Sequence, residues 1–302
     1  MDNIDPSLSF SDPGRASRPE QNRGDRFVVA ISNIASLLYP ALMVVICVQV
    51  LLRNAGRGGV GPGNQAWMDD LQWWIYGVAV LIGIGYAVTT NSHVRVDIFF
   101  DSFDRLKKLR IDSFGLSWLF LPFIILSWDT TFHYAVSSVV ADEGSDSPNG
   151  LHNLWILKVI MNAAFAFIAV ATVAAFLRRM RQLGKNQWWQ KLTWALPSVA
   201  FVLNLVIFYV LWWFTYATGP EDMNARAVSR APIFGELEFW GQEMKYTVLM
   251  ALVATAALIA LTYVMRDKSL DNSTPPPPLA GGADDSLPSG SPTPGSTASE
   301  SK

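Results

Sequence analysis

Asp129 and His133 are the two residues of this sequence with the clearest capacity for proton transfer. They are four residues apart in an otherwise apolar stretch, so a helix would place them on one face, where carboxylate and imidazole can pair. Ionisable groups within a membrane span are costly and are therefore candidates for function. Two interpretations stay open, a proton relay or a partly hydrated pair near the outer interface. The second is favoured because about 16 residues of helix precede the pair and cross much of the bilayer.

Haem and metal sites find little support in the sequence. Of the three histidines, only His133 lies in an apolar stretch, whereas a membrane cytochrome usually needs paired intramembrane histidines. His93, Asp97 and Asp101 would share a helix face. Arg95 interrupts them, however, which favours a helix cap or a salt-bridge cluster over a metal site. We therefore predict no cofactor and no metal.

Catalytic motifs are also missing. The sequence contains no hydrolase elbow, no Walker motif and no HExxH pair, so we do not predict an enzyme. Its single cysteine, Cys47, cannot form a disulfide within the chain, and we expect it to be a small buried hydrophobe. A net charge of −2 with 16% charged residues gives no indication of nucleic-acid binding.

The elements that would position these residues are six apolar stretches of about the length that a bilayer-spanning helix requires. Because helices satisfy their own backbone polar groups in hydrocarbon, the predicted fold class is all-α, a polytopic transmembrane helical bundle. Most of the twelve tryptophans lie near the ends of these stretches, as in an interfacial aromatic belt. The predicted spans are residues 27–52, 71–90, 113–138, 155–177, 194–217 and 245–265.

Basic residues collect in every second gap between the stretches. Cytoplasmic loops of membrane proteins carry the excess of Lys and Arg, so the six crossings are predicted to leave both termini in the cytoplasm. The basic segments are residues 15–26, 95–110, 178–191 and 266–268.

The two ends of the chain are polar. Residues 1–26 and residues 269–302, which include Pro275–Pro278, are predicted to be disordered cytoplasmic tails because they have too little apolar surface to bury. No cleavable signal peptide is predicted, since the first apolar stretch is too long for one. The glycine-rich segment 53–70 is interpreted as a flexible outer turn.

Four ordered motifs carry a family resemblance. The first helix ends in LLRN at Leu51–Asn54, and the second begins with WMDDL at Trp67–Leu71. NSHVRVDI follows at Asn91–Ile98, and SPNGL at Ser147–Leu151 precedes the fourth helix. In this order the motifs resemble the small permease subunit of tripartite ATP-independent periplasmic (TRAP) transporters, the DctQ-like family. Asp70 departs from the family pattern, in which Glu is commoner.

The resemblance covers residues 27–180 and implies a four-helix core, so residues 181–268 would add two further transmembrane helices in a long form. It implies a scaffolding subunit of the bacterial inner membrane, with a large TRAP permease subunit, a periplasmic solute-binding protein and membrane lipid as partners. Uptake of an organic acid or similar solute would be driven by an ion gradient. The residues that match the family are expected to have structural or interface roles: Arg53, Trp67, Asp70, His93, Arg95 and Asp97.

Three alternatives remain open. A membrane anchor of a redox complex would need haem ligands that the histidines do not readily supply. A self-sufficient small transporter would use Asp129 and His133 as its working pair. An intramembrane enzyme is the third, and no nucleophile with a neighbouring base supports it.

Overall fold

Six long helices dominate the protein, which a computed structural model describes at residues 20–61, 65–92, 102–220, 224–239 and 242–266. The first span consists of α1 (Arg23–Ala35) and α2 (Leu38–Arg57), and the second is α3 (Ala66–Thr90). The third combines α4 (Arg105–Phe114), a π-helical segment (Gly115–Phe120) and α5 (Leu121–Val140). The fourth span is α6 (Trp155–Gln182), followed by a short α7 (Trp188–Trp194). The fifth span is α8 (Leu196–Thr218), followed by α9 (Ala225–Ser229) and a 3-10 turn (Pro232–Phe234). Strands β1 (Glu236–Phe239) and β2 (Gln242–Lys245) form an antiparallel hairpin before the sixth span, α10 (Tyr246–Val264).

The predicted all-α bundle with six spans is confirmed, since the described residues contain six helices long and apolar enough to cross a membrane. Several helices extend beyond the predicted spans, because hydropathy marks the apolar part of a helix and not its polar ends. The outer turn at 53–70 was predicted too long: α2 continues to Arg57 and α3 already begins at Ala66. The orientation of the termini stays a prediction.

The boundary of the disordered N-terminal segment, predicted at residue 26, is wrong. Asn22 caps α1 by accepting a 2.8 Å hydrogen bond from the Asp25 amide, and the Asp25 carboxylate accepts one from the Asn22 amide. This reciprocal capping box satisfies two of the free donors at the helix start. The helix therefore begins at Arg23, within the polar stretch.

The first span breaks between α1 and α2 at Ser36 and Leu37. Pro40, in the first turn of α2, lacks an amide hydrogen and cannot bond to the carbonyl of Ser36. The amide of Tyr39 bonds to that carbonyl instead, at 3.2 Å. The proline is tolerated because the first turn of a helix has free amides in any case.

The fourth span is the centre of the bundle and packs against the first, second and third spans. Its buried face is built from Ile168 and several alanines, among them Ala164, Ala171 and Ala175. Small residues let transmembrane helices approach closely. Gly85 of α3 shows how closely, since a Cβ atom there would lie 2.7 Å from Cε1 of Phe167.

The fifth and sixth spans pack mainly on each other, and the fifth contacts the third span at both the π-helical segment and α5. Ser198 at the start of α8 donates a hydrogen bond to the carbonyl of Ser117. In return, Ser117 and Trp118 donate to the carbonyl of Trp194, at 3.1 and 2.8 Å. In the wider π-turn the backbone hydrogen bonds of the helix are shifted. These contacts join the fifth and sixth spans to the third span.

Cys47 differs from its predicted environment. It lies on α2, where Gln49 is the one buried residue, and its side chain is exposed. The expectation of a buried cysteine is wrong because α2 packs chiefly on α3 and leaves most of its circumference outside the bundle.

Candidate functional site

Polar side chains join the first two spans at the ends that their connecting segment links. Arg53 forms an ion pair with Asp69 at 3.3 Å, and both side chains are about half exposed or more. The buried Gln49 donates to the other Asp69 oxygen at 2.5 Å and accepts from Gln72. Arg53, predicted as an interface residue, thus pairs with the first of the two aspartates that open the second span.

The second aspartate, Asp70, holds the loop between the third and fourth spans. Its Oδ2 accepts a 2.9 Å hydrogen bond from the amide of Leu151. The loop is also closed internally, since the amide of Ser145 donates to the carbonyl of Leu151 at 3.0 Å. Two of the motifs that carried the family resemblance, at residues 67–71 and 147–151, are therefore in direct contact.

Glu143 in the same loop pairs with Lys158 in the first turn of α6. Lys158 is buried, and its ammonium lies 3.9 Å from the centre of the Tyr134 ring. Hydrogen bonds from Lys158 and from the Ser138 hydroxyl lower the pKa of Glu143 below its usual value of 4.5. The pair joins the third span to the fourth at the end where Asp70 binds the loop.

Asp129 and His133 do not pair with each other directly but share one partner. The hydroxyl of Tyr209, in the fifth span, donates to Asp129 Oδ1 at 2.5 Å, and it lies 3.0 Å from Nε2 of His133. Tyr209 is near the middle of α8, about 20 Å along the helix from Leu196. The three side chains connect the third and fifth spans.

Two consecutive arginines connect the spans at the end of the bundle opposite Asp70. The guanidinium of Arg178 lies 2.8 Å from Asp25 of α1 and donates to the carbonyl of Thr89 at 2.7 Å. Arg178 is almost completely buried, and Asp25 is completely so. Three spans meet at this one side chain.

Arg179 extends these contacts to the third span. It lies 3.6 Å from Asp112 of α4, and it donates to the Asn91 side chain at 3.0 Å. Together the two arginines therefore connect all four of the first spans. His93, Arg95 and Asp97, which were predicted to have structural roles near this end, lie outside the described residues.

Trp67, the remaining predicted residue, lies in the first turn of α3 with 43% of its surface exposed. Its indole faces outward from the bundle. It is available to lipid headgroups or to another subunit, as the aromatic residues of membrane interfaces commonly are.

Sequence reasoning missed Lys158, Tyr209 and the paired arginines with their partner Asp25. Lys158 could have been found, because a lysine within a predicted apolar span is itself a signal. Arg178 and Arg179 were interpreted only as basic residues of a predicted cytoplasmic loop. Their burial follows from packing between helices, which the sequence does not display. Among the described residues, no three His, Cys, Asp or Glu side chains converge as a metal site would require.

Residues 42–182 match the family model described as "Tripartite ATP-independent periplasmic transporters, DctQ component". The match begins in α2 and ends at the last residue of α6, so the fifth and sixth spans lie beyond it. No curated protein and no solved structure matches the chain. The resemblance recognised from the sequence motifs is confirmed over residues 42–182.

Proposed function

We propose that this chain, whose residues 42–182 belong to the DctQ family of TRAP transporter components, is the small membrane subunit of such a transporter and acts as a scaffold for its large permease subunit. A periplasmic solute-binding protein would deliver the solute, and the large subunit would move it with an ion gradient. An organic acid or a related solute is the proposed cargo. The bacterial inner membrane, with both termini cytoplasmic, is the proposed location.

The observation that supports a scaffold is the use of the polar side chains within the matched segment. They bond within the bundle: Asp70 accepts from the Leu151 amide of the loop, Lys158 pairs with Glu143 of the same loop, and Arg178 donates to the Thr89 carbonyl of another span. A midplane transport site is typically built instead from paired broken helices that offer free backbone groups. The described residues have two helix breaks followed by a proline, near Pro40 and near Pro197. At the second, the carbonyl of Trp194 is already bound by Ser117 and Trp118 and is not offered to a solute.

Arg53, Trp67 and Asp70 are proposed as residues that shape the outer surface presented to the large subunit. Arg53 and Trp67 are exposed there, and Asp70 orders the neighbouring loop. Their substitution should reduce the yield of assembled complex more than it changes the apparent affinity for solute.

The test is affinity purification of the chain from native membranes in mild detergent, followed by mass spectrometry. A stoichiometric, much larger polytopic partner is the expected result. The Arg53→Glu variant should recover less of that partner, whereas Arg105→Glu, on an exposed residue at the other end of the bundle, serves as the control. A chain that purifies alone from membranes containing its intact transporter would contradict the proposal.

A second candidate is a self-sufficient small transporter, and one observation favours it. Asp129, Tyr209 and His133 form a hydrogen-bonded series between two spans, as a proton path would require. Liposomes containing this chain alone distinguish the candidates. Proton flux that disappears in Asp129→Asn would support the self-sufficient transporter. If the unaltered chain shows no flux, the scaffold function is favoured.

A further inference from the structure

A groove that opens at the end of the bundle where Arg178 lies runs along the face of the fourth span, between the third and fifth. Its mouth has a volume of about 850 Å³, and its inner part about 470 Å³. The two parts share three lining residues, Ile125, Ala169 and Val202, and are therefore continuous.

The inner part of the groove is apolar. Aliphatic and aromatic side chains line it, and small alanines of the fourth span form its floor, Ala166 and Ala169 among them. Along the fourth span the lining extends from Arg181 to Ala166, about 22 Å of helix. That length exceeds half of the roughly 30 Å hydrocarbon core, so one acyl chain can lie in it at full extension.

The mouth carries three positive charges. Arg23, Arg26 and Arg181 line it, and all three side chains are exposed. Within the described part of the chain, none of them has a carboxylate within 4.0 Å or a side-chain hydrogen bond. The two nearby carboxylates have other partners, since Asp25 binds Arg178 and Glu20 accepts from Gln182.

Arg23 and Gly24 also belong to the first turn of α1. The free amides and the dipole of a helix N-terminus favour a negative charge at this place. Three guanidinium groups and the first turn of a helix thus surround the mouth of a groove whose inner part is apolar.

We infer that this groove binds one anionic phospholipid, with its phosphate between Arg23, Arg26 and Arg181 and one acyl chain along the alanine floor. Basic pockets between transmembrane helices are known to hold anionic headgroups. A helix from another protein would also bury the apolar walls, but it would leave three positive charges at the mouth without a counterion. The inference does not depend on the transporter assignment.

Native mass spectrometry of the full-length chain, delipidated in mild detergent and then titrated with phosphatidylglycerol or phosphatidylcholine, tests this site. We expect one tightly retained phosphatidylglycerol per chain and much weaker retention of phosphatidylcholine. Each arginine near a membrane surface contributes about fivefold in affinity. The Arg23→Gln, Arg26→Gln, Arg181→Gln triple variant should therefore lose about a hundredfold in affinity.

A second variant tests the groove separately from the charges. Ala169→Phe places a ring where the two parts of the groove meet and should weaken retention of phosphatidylglycerol with all three arginines in place. The control is Ala163→Phe, on an exposed position of the same helix outside the groove, which should bind as the unaltered chain does.

Three results would overturn the inference. Equal retention of the two lipids would show that the arginines do not select an anion. Unchanged binding in the triple variant or in Ala169→Phe would place the lipid elsewhere. Photo-crosslinking from position 202 to a protein segment in native membranes, with no lipid adduct, would show that a polypeptide covers the groove.

Discussion

The guanidinium of Arg178 lies 2.8 Å from the carboxylate of Asp25, and both side chains are buried between the first and fourth spans. Removing one partner of a buried ion pair leaves the other charge without compensation, which commonly destabilises a protein by about 3–5 kcal/mol. We therefore expect Asp25→Ala to lower the thermal unfolding midpoint in mild detergent strongly.

The exposed pair of Arg53 and Asp69 provides the comparison. Exposed ion pairs contribute about 0–1 kcal/mol, so Arg53→Gln should change the midpoint of the isolated chain little. Similar effects of Asp25→Ala and Arg53→Gln would contradict the view that burial makes the Arg178 contact important.

Asp70 should control the order of the loop between the third and fourth spans. In Asp70→Ala the amide of Leu151 loses its carboxylate acceptor, and a hydrogen bond to a charged group is worth about 1.5–3 kcal/mol. Hydrogen exchange in residues 145–151 should become faster, while α6 stays protected. Asp70→Asn keeps an acceptor oxygen and should have the smaller effect; equal acceleration in both variants would exclude this role for the contact.

Glu143 should make stability depend on pH in acid. Its pKa is lower in the folded protein than its usual value of 4.5, because Lys158 and Ser138 donate to the carboxylate. The stabilisation is therefore present above pH 4.5 and is lost as the pH falls through the lower, folded-state value. The unfolding midpoint of Glu143→Gln should change less over this acid range than that of the unaltered chain. Parallel curves for the two proteins would contradict the assignment.

Tyr209 should hold the fifth span against the third. Tyr209→Phe leaves Asp129 and His133 without their shared hydroxyl, and one hydrogen bond contributes about 0.5–1.5 kcal/mol to stability. We expect faster proteolysis at residues 183–187, the connection before α7, as the last two spans detach more readily. Tyr216→Phe is the control, since its ring is about half exposed and its hydroxyl has no partner among the described residues. Equal cleavage of both variants would show that the hydroxyl is unimportant.

Cys47 offers a test of which surface meets the large subunit. It is the single cysteine of the chain and is exposed on α2. A membrane-permeant maleimide should label the isolated chain slowly but measurably, because maleimide reacts with the thiolate and the apolar span disfavours that form. Protection in the assembled complex would place α2 at the subunit interface, and equal labelling of both forms would place this face of α2 against lipid.

The amino-acid sequence alone determined the class of the fold and the family that residues 42–182 resemble. Long apolar stretches can satisfy their backbone in a bilayer only as helices, so six spans followed directly from hydropathy. The motifs around Arg53, Trp67 and Asp70 led to the DctQ family, which the match over residues 42–182 confirms. Helix ends were less predictable, because α2 and α1 extend into polar segments through local capping and continued backbone bonding.

Only the tertiary structure decided which polar groups meet. Asp129 and His133 were predicted to share one helix face and to pair, yet each bonds Tyr209, about eighty residues away. The sequence could not distinguish Arg178 from an exposed basic residue of a cytoplasmic loop. Its side chain is buried only because other spans bring Asp25 and Thr89 to it. Periodicity describes one helix at a time, whereas contacts between helices depend on how all of their side chains pack together. For this reason the sequence identified the spans, and packing alone determined the contacts that hold them together.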